Sequence, residues 1–524
     1  MTIAPPDFSH DVVIVGGGHN ALVAATYLAQ AGVSVVVLER LEDVGGAAVS
    51  ERPWGGVDAK LSRYSYLVSL LPQQVIDDLH LDVRLERRRF SSYTPDPDDP
   101  TMGILVDNED AAATAASFLR VTGDGSEAAR FEELYAHIAP IAAAVFPSVT
   151  EPLLRQGEVR ELLDNEALWH DLVERPLGDM LNRALGTDIA RGIALTDGLI
   201  GTFASADDES LRQNLCFLYH VIGGGTGDWD VPIGGMGMVS GALESAARAA
   251  GAEIRTSVNV TSIDPDGSVH AADEEWRARL VLSGVGPAVL DRLMGTSDAD
   301  ITMPEGAQLK VNMLLSRLPR LRDEQISAEA AFAGTFHVNE TMSQLEDAFA
   351  AAKAGSIPHP LPLEIYCHSL SDPTILGPQL RDSGAHTLTL FGLHVPHRLI
   401  AGKDPDAVRA TLLEAAMSSL DSVLAEPIAD CLYLAPDGTP CIEARTTADL
   451  EDSLGMLGGD IFHGSLSWPW ASDEEPLDTP ARRWGVATSH DAVLICGSGA
   501  RRGGAVSGIG GHNAAMAALE ILRG

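Results

Sequence analysis

Asp11 to Ala48 reads DVVIVGGGHNALVAATYLAQAGVSVVVLERLEDVGGAA, and this stretch decides the fold. Val12 to Val15 is a short apolar run that meets Gly16, Gly17 and Gly18, the mark of a buried parallel strand entering a tight turn. Asn20 to Gln30 has helical spacing, and a second apolar run, Val33 to Leu38, ends on Glu39. Strand, glycine turn, helix, strand and terminal acid make a dinucleotide-binding βαβ unit. Gly16 makes the turn, and Gly18 keeps a Cβ out of the path of a pyrophosphate. Ala21, where the third glycine of the pattern usually stands, is still small enough for helix to pack on strand. The phosphates would rest on free amides at the helix start, near His19 and Asn20. Glu39 falls about 20 residues on, where an acid holds a ribose 2′-hydroxyl, and its charge disfavours a 2′-phosphate.

Length, charge and cysteines narrow the classes. The 524 residues allow two or three domains, and 45% hydrophobic with 21% charged residues is a globular composition. The net charge of −38 argues against nucleic acid and against adsorption to anionic lipid. MTIAPPDFSH lacks the basic and apolar regions of a signal peptide, and no apolar run reaches membrane-spanning length, so a cytoplasmic protein is expected. Cys216, Cys367, Cys431, Cys441 and Cys496 are scattered, with no CxxC or Cys/His cluster, so neither a metal site nor a flavin-disulfide pair is expected.

Further along, Ser62, Arg63 and Tyr64 fall where the chain leaves the nucleotide fold, as a cofactor contact or as a packed linker. Tyr64 to Leu71 reads as an apolar helix or strand, and Tyr93 to Asp107, rich in Pro and Asp, as loop. Helical patterns run from Ala111 to Leu211, including Phe131 to Phe146 and Leu162 to Leu185. The apolar face of Phe131 to Phe146 suits a core, with a substrate tunnel or peripheral membrane contact as alternatives. Ile222 to Met238 is glycine-rich, and a helix, Val239 to Ala250, and a strand, Ile254 to Ser257, follow it. The run Val258 to Ile263 brings Val260 near an adenine. Lys310 to Leu315, Leu361 to His368 and Thr387 to His394 have strand character and would roof the cofactor, while Pro405 to Leu424 is an amphipathic helix. His368, His394 and His397 have no metal spacing and read as structural. Asp491 to Cys496 is a buried strand entering GSGARRGGAVSGIGGHN, Gly497 to Asn513, and a terminal helix, Ala514 to Leu522. That helix start would face the flavin end of a single cofactor.

These blocks resemble the phytoene-desaturase-like flavoproteins of the wider amine-oxidase superfamily, most of all the pyridine nucleotide-disulfide oxidoreductase domain proteins. The likeness lies in VVIVGGGHNALVAATYLAQAGVSVVVLER, GGAA at Gly45 to Ala48, SRYSYLVSLL, PIGGMGMVSGALESAARAAGAEI, ADLEDSLGMLGGDIFHGSLS and LICGSGARRGGAVSGIGGHNAA. It implies an α/β fold: a Rossmann-like FAD-binding domain of GR2 type built from separated segments, with an inserted α+β substrate domain. The FAD segments would be 1–70, 226–300 and 441–524, and the substrate segments 71–225 and 301–440. The implied FAD contacts are Gly16, Gly17, Gly18, His19, Asn20, Ala21, Glu39, Arg40, Gly45, Gly46, Ala47, Ser62, Arg63, Val260, Gly497, Ser498, Gly508, Ile509 and Asn513. Arg501-Arg502 departs from the His-Pro pair common in relatives.

The expected chemistry is hydride transfer from a lipophilic substrate to FAD, desaturating or isomerising it, with no obligatory catalytic dyad. His463, between the glycines of GGDIFHG, and Tyr64 are the candidate proton-handling or flavin-contacting groups. Trp468, Trp470 and Tyr64 would wall the substrate or pack as core. Arg501 and Arg502 would meet the flavin or lie on the surface. An amine or small-molecule oxidase using O₂ is the alternative, and a flavin-binding scaffold without turnover a further one.

Overall fold

The computed structural model describes residues 8–272 and 274–524. Residues 1–7, which hold most of the stretch read for a leader and the start of the 1–70 segment, lie outside the described residues, as does Asp273.

The opening stretch folds as strand His10–Val15, helix His19–Gln30 and strand Val35–Leu38. The two strands pair in parallel, Val12 opposite Val35. Later strands join them in the parallel order Val493–Ile495, Glu274–Ser283, His10–Val15, Val35–Leu38, Glu253–Arg255. A hairpin of Ser262–Ile263 and Ser268–Ala271 adds antiparallel to the early half of the long strand, completing seven strands.

Side-chain alternation divides the two faces of this sheet. Val12, Ile14, Val35 and Val37 pack under helices His19–Gln30, Met236–Ala250 and Ile509–Arg523. Val13, Val15, Val36 and Leu38 pack on the hairpin and on Leu290 of helix Pro287–Leu293. Both faces are covered, which is why both strand sequences are continuously apolar.

A second seven-stranded sheet has the order Ile442–Arg445, Leu309–Leu315, His386–Gly392, Leu363–Tyr366, Thr335–Val338, Phe90–Pro95, Gly103–Asp107. Its pairings are antiparallel except between Thr335–Val338 and Phe90–Pro95. Helix Pro405–Asp421 packs into the same core as this sheet. A separate helical core forms around Phe118, Trp169, Leu181 and Phe217.

Four segments differ from the sequence expectation. Tyr93 to Asp107 is not loop: Phe90–Pro95 and Gly103–Asp107 form a hairpin, and the Asp/Pro signal marks only its turn, where Asp96 N–H donates to Met102 C=O. Tyr64 to Leu71 forms no regular helix or strand; Leu67, Val68, Leu70 and Leu71 are apolar because they are buried, and Val68 makes a lone bridge to Asp230. Leu162 to Leu185 is divided among short helices, with Asp164 in the left-handed region (φ 43°) and Pro176 ahead of Leu177–Ala184. Of Val258 to Ile263, only Ser262–Ile263 is strand. Among the described residues no helix is long and apolar enough to cross a membrane.

The terminal helix crosses the first helix through Gly511, where an added Cβ would fall on the carbonyl oxygen of Asn20. In helix Met236–Ala250, a Cβ on Gly241 would meet nothing within 4 Å. Gly511→Ala is therefore expected to lower stability by about 1–3 kcal/mol through overpacking. Gly241→Ala is expected to raise it by about 0.5–1 kcal/mol through the unfolded chain's lost freedom. Thermal unfolding midpoints of the two variants check the opposite signs.

Candidate functional site: a glycine-walled cavity under the second sheet

The carboxyl ends of the parallel strands converge, as they do wherever an open α/β sheet holds a ligand. Gly16 follows the first strand in the left-handed region (φ 91°), and a Cβ there would press on Val285. Gly284 N–H donates to Val15 C=O at 2.8 Å, and a Cβ on Gly497 would stand 2.5 Å from Gly284 C=O. Gly45 N–H donates to Gly17 C=O at 2.8 Å, and a Cβ on Gly46 would lie 3.2 Å from Gly18 Cα. Gly18 itself has nothing within 4 Å of its missing Cβ: the space beside the helix start is open. Glu39 ends the second strand with one carboxylate oxygen accepting Gly17 N–H at 2.6 Å and the other accepting Leu41 N–H at 2.8 Å.

That open space belongs to a cavity of about 310 Å³. Its nucleotide end is lined by Gly16 to Ala21, Glu39, Arg40, Gly46, Ala47, Val260, Gly497 and Ser498. Among the described residues, His19 Nε2, Asn20 Oδ1 and His463 Nδ1 are buried here without a partner. Burial lowers the pKa of His463 to about 4, and burial plus the neighbouring His463 does the same to His19, so both imidazoles are neutral. A glycine cradle at a helix N-terminus, an acid at the second strand end and unsatisfied neutral donors or acceptors between them fit a dinucleotide.

The other end is apolar and aromatic. Leu67, Leu70, Ile200, Leu393, Ile461 and Leu466 line it, with Tyr64, Tyr66, Tyr219, Trp229, Phe391 and Phe462. His220 stacks on Trp229 at 4.9 Å between ring centroids. Lys310, on a strand of the second sheet, is 4% exposed and donates from Nζ to Ser62 C=O at 3.0 Å and Tyr64 C=O at 2.8 Å. The rings of Phe391 and Tyr66 lie 5.0 and 5.6 Å from the same nitrogen. Burial lowers the Lys310 pKa to about 7, against the raising influence of Glu443. Glu39 is the sole carboxylate among the lining residues.

Of the residues expected at the cofactor, Gly45, Ser62, Gly508, Ile509 and Asn513 do not line this cavity. Ser62 Oγ instead accepts Met236 N–H, and Asn513 donates its amide to Val149 C=O. The glycines at the terminal helix start pack on helix His19–Gln30 and on Gly497, so Gly504, Ala505 and Val506 of the preceding loop face the cavity. Arg63 lines it while paired with Glu443 and Glu51. Of the two proposed proton-handling groups, His463 sits at the nucleotide end against Gly286 and Gly499, and Tyr64 lies under the Arg445 guanidinium at 5.5 Å.

Trp468 and Trp470 do not line the cavity; they stack at 5.2 Å and join Trp169 in the helical core. Arg502 is neither on the surface nor in the cavity. It is 1% exposed and its guanidinium donates to the carbonyls of Ser148, Glu151 and Trp484, tying three loops together. Arg501 bonds Trp470 C=O and pairs with Glu475. Lys310, Tyr66, His220, Trp229 and Phe391 were not singled out from sequence. Lys310 carried a signal, being one of four lysines and placed in the apolar run KVNMLL.

Residues 14–74 match the NAD(P)-binding Rossmann-like domain. Along 98% of its length the chain is 52% identical to an uncharacterized protein of Mycobacterium tuberculosis, itself 98% covered. It is 29% identical to pyridine nucleotide-disulfide oxidoreductase domain-containing protein 2 of Rattus norvegicus, over 98% of this chain and 94% of that one. A putrescine oxidase structure shares the fold, with a TM-score of 0.58 and 18% identity over 98% of this chain and 99% of the other. The molecule thus has a Rossmann-type α/β fold. The chain belongs to the family of the mycobacterial protein.

The buried lysine has a measurable consequence. Between pH 7 and 10.5 the unfolded chain holds a proton on Lys310 that the folded chain releases, so this group makes stability rise with pH across that window. Lys310→Met removes the dependence. The melting temperature of the variant relative to the natural chain is expected to be highest below pH 7 and to fall by on the order of 3 °C toward pH 10. A flat difference across that range contradicts a neutralised lysine.

Proposed function

We propose that the chain is an FAD-dependent oxidoreductase that removes hydrogen from a lipophilic substrate. The observation that carries this reading is the single cavity that runs from the Gly18 cradle to an apolar, aromatic end under Lys310 and Phe391. A dinucleotide anchored at the cradle leaves room at the other end for its reactive ring and for an apolar molecule. When bound, FAD supplies the two-electron acceptor for a hydride.

Each part of the chain then has a task. The helix amides at His19 and Asn20 bind the pyrophosphate, and Glu39 holds the adenosine ribose while disfavouring a 2′-phosphate. His19, Asn20 and His463 offer their unpartnered atoms to the cofactor. Leu67, Leu70, Ile200 and Leu466 exclude water and orient the substrate by burial alone. Lys310, fixed by two backbone carbonyls, is a neutral-prone amine that holds or takes a proton at Nζ.

A second reading, oxidation of an amine, draws on the aromatic corner of Tyr66, Trp229 and Phe391 and on the name of the putrescine oxidase neighbour. A cationic ammonium would meet Lys310 and Arg445 there and no carboxylate, which favours the lipophilic substrate.

Purified protein is expected to release one FAD per chain on denaturation, or to take up FAD when added. Gly18→Val, whose side chain would enter open space, is expected to fold normally and to lose at least about tenfold in FAD affinity, a change of about 1.4 kcal/mol. Flavin absorbance after gel filtration and the melting temperature measure the two effects separately. Folded natural protein that takes up no FAD would sink the reading. Anaerobic bleaching of the flavin by putrescine, and not by a conjugated polyene, would favour the amine reading instead.

A further inference from the structure

Behind the aromatic end of the cavity stands a buried carboxyl group, with Arg88 as the cation that acts on it from beyond the Tyr366 ring. Glu364 is 4% exposed on strand Leu363–Tyr366. One of its oxygens accepts the hydroxyl of Tyr366, two residues on and therefore on the same face of the strand; the other has no partner. Arg88, the cation that acts on it, spends its own donors on Trp229 C=O and Thr335 Oγ1. The Tyr366 hydroxyl in turn lies 3.5 Å from that of Tyr66, which lines the cavity.

We infer that Glu364, Tyr366 and Tyr66 form a proton path whose inner end is a carboxyl reservoir and whose outer end is the substrate end of the cavity.

The surroundings favour the neutral acid as the resting form. Half-buried Asp197 approaches from the short helix Thr196–Gly198 and buried Glu340 from just past strand Thr335–Val338; His337 is the cross-strand neighbour on one side and Phe391 on the other. Burial and Asp197 raise the Glu364 pKa well above the carboxylate range, and Arg88 opposes them only in part. Glu340 is raised by burial and by Glu364 itself, while burial keeps His337 neutral, with a pKa of about 3. Tyr66 feels the same field: burial and Glu364 raise its pKa, so its phenol keeps its proton until a stronger base in the cavity draws on it. Burial disfavours an isolated ionised carboxylate in this place, and protonation avoids that cost.

The transfer balances without electrons. Tyr66 gives its hydroxyl proton to a group in the cavity that gains negative charge, Tyr366 replaces that proton, and Glu364 replaces the one on Tyr366. Glu364 is left a carboxylate in the field of Arg88, to be reprotonated from solvent. The path does not depend on which cofactor binds; it rests on the oxidoreductase reading only for the reaction it feeds.

Infrared spectroscopy of the whole chain, with and without FAD, tests the inference. At pH 7 the natural protein is expected to show a protonated-carboxyl band that Glu364→Gln removes and Glu340→Gln leaves. On transfer to D₂O the band shifts as O–H becomes O–D, and Tyr66→Phe is expected to slow that shift at least about tenfold. Tyr366→Phe, which keeps the ring packed between Tyr66 and His368, cuts the same path should Tyr66→Phe not fold. Absence of any band that Glu364→Gln removes, or exchange at the natural rate in both phenylalanine variants, overturns the inference. A protein that takes up no FAD and still gives the expected exchange leaves the path standing and removes only the flavin reading.

Discussion

Backbone meets backbone at the carboxyl ends of the parallel strands, and the site depends on it. Gly16, Gly284 and Gly497 close the carboxyl ends of three adjacent parallel strands, and a Cβ on Gly284 would stand 3.0 Å from Gly16 C=O. Gly511 brings the terminal helix against Asn20 in the same way. Glycine has a conformational cost in the unfolded chain, so a cluster of this kind persists where close approach is worth more than side-chain packing. Here it draws parts of the chain nearly five hundred residues apart into one wall, leaving Gly18 facing empty space. A lone βαβ unit would bind a dinucleotide from one side; this arrangement would enclose one.

The second sheet supplies what the first cannot. Parallel strands end in turns and amides, which suit phosphates. Antiparallel strands present alternating side chains, and Lys310, Phe391 and Tyr366 come from neighbouring strands of that sheet. Several of the polar groups buried on or beside it are held in uncharged forms. Lys310 is shifted toward neutrality, His368 and His394 have pKa values near 3, and Glu340 and Glu364 are raised. Little of the net charge of −38 lies in the cavity, where Glu39 is the one lining carboxylate.

The nucleotide half was legible because its chemistry is local. A strand, a glycine turn and an acid at a fixed distance are short-range features, and the stretch 11–48 contains all of them. Gly508, Ile509 and Asn513 were less legible, because a glycine that packs helix on helix reads the same as one that approaches a ligand. Arg502 shows the same limit for charge. Its neighbours Ser148, Glu151 and Trp484 are distant in sequence, so nothing local marks it as a buried strut. The substrate end was hardest to read: Tyr66 lies in an irregular segment, and Trp229 and Phe391 reach it from two other parts of the fold.

A cavity without an ionised acid at its reactive end still has to manage protons, because removing a hydride from carbon leaves a cation that sheds one. A neutral base can take that proton, and a neutral acid linked by hydroxyls can give one back to a group that gains negative charge. A charged carboxylate could also take the proton but would be costly to keep dry. Lys310 supplies the base, and the line from Tyr66 to Glu364 the acid, on either side of the same aromatic corner. Base and acid are held apart by environment and not by residue type, as paired acid–base groups in buried sites commonly are. An apolar substrate asks for this arrangement, because both groups can be uncharged when it enters and neither has to be desolvated to admit it.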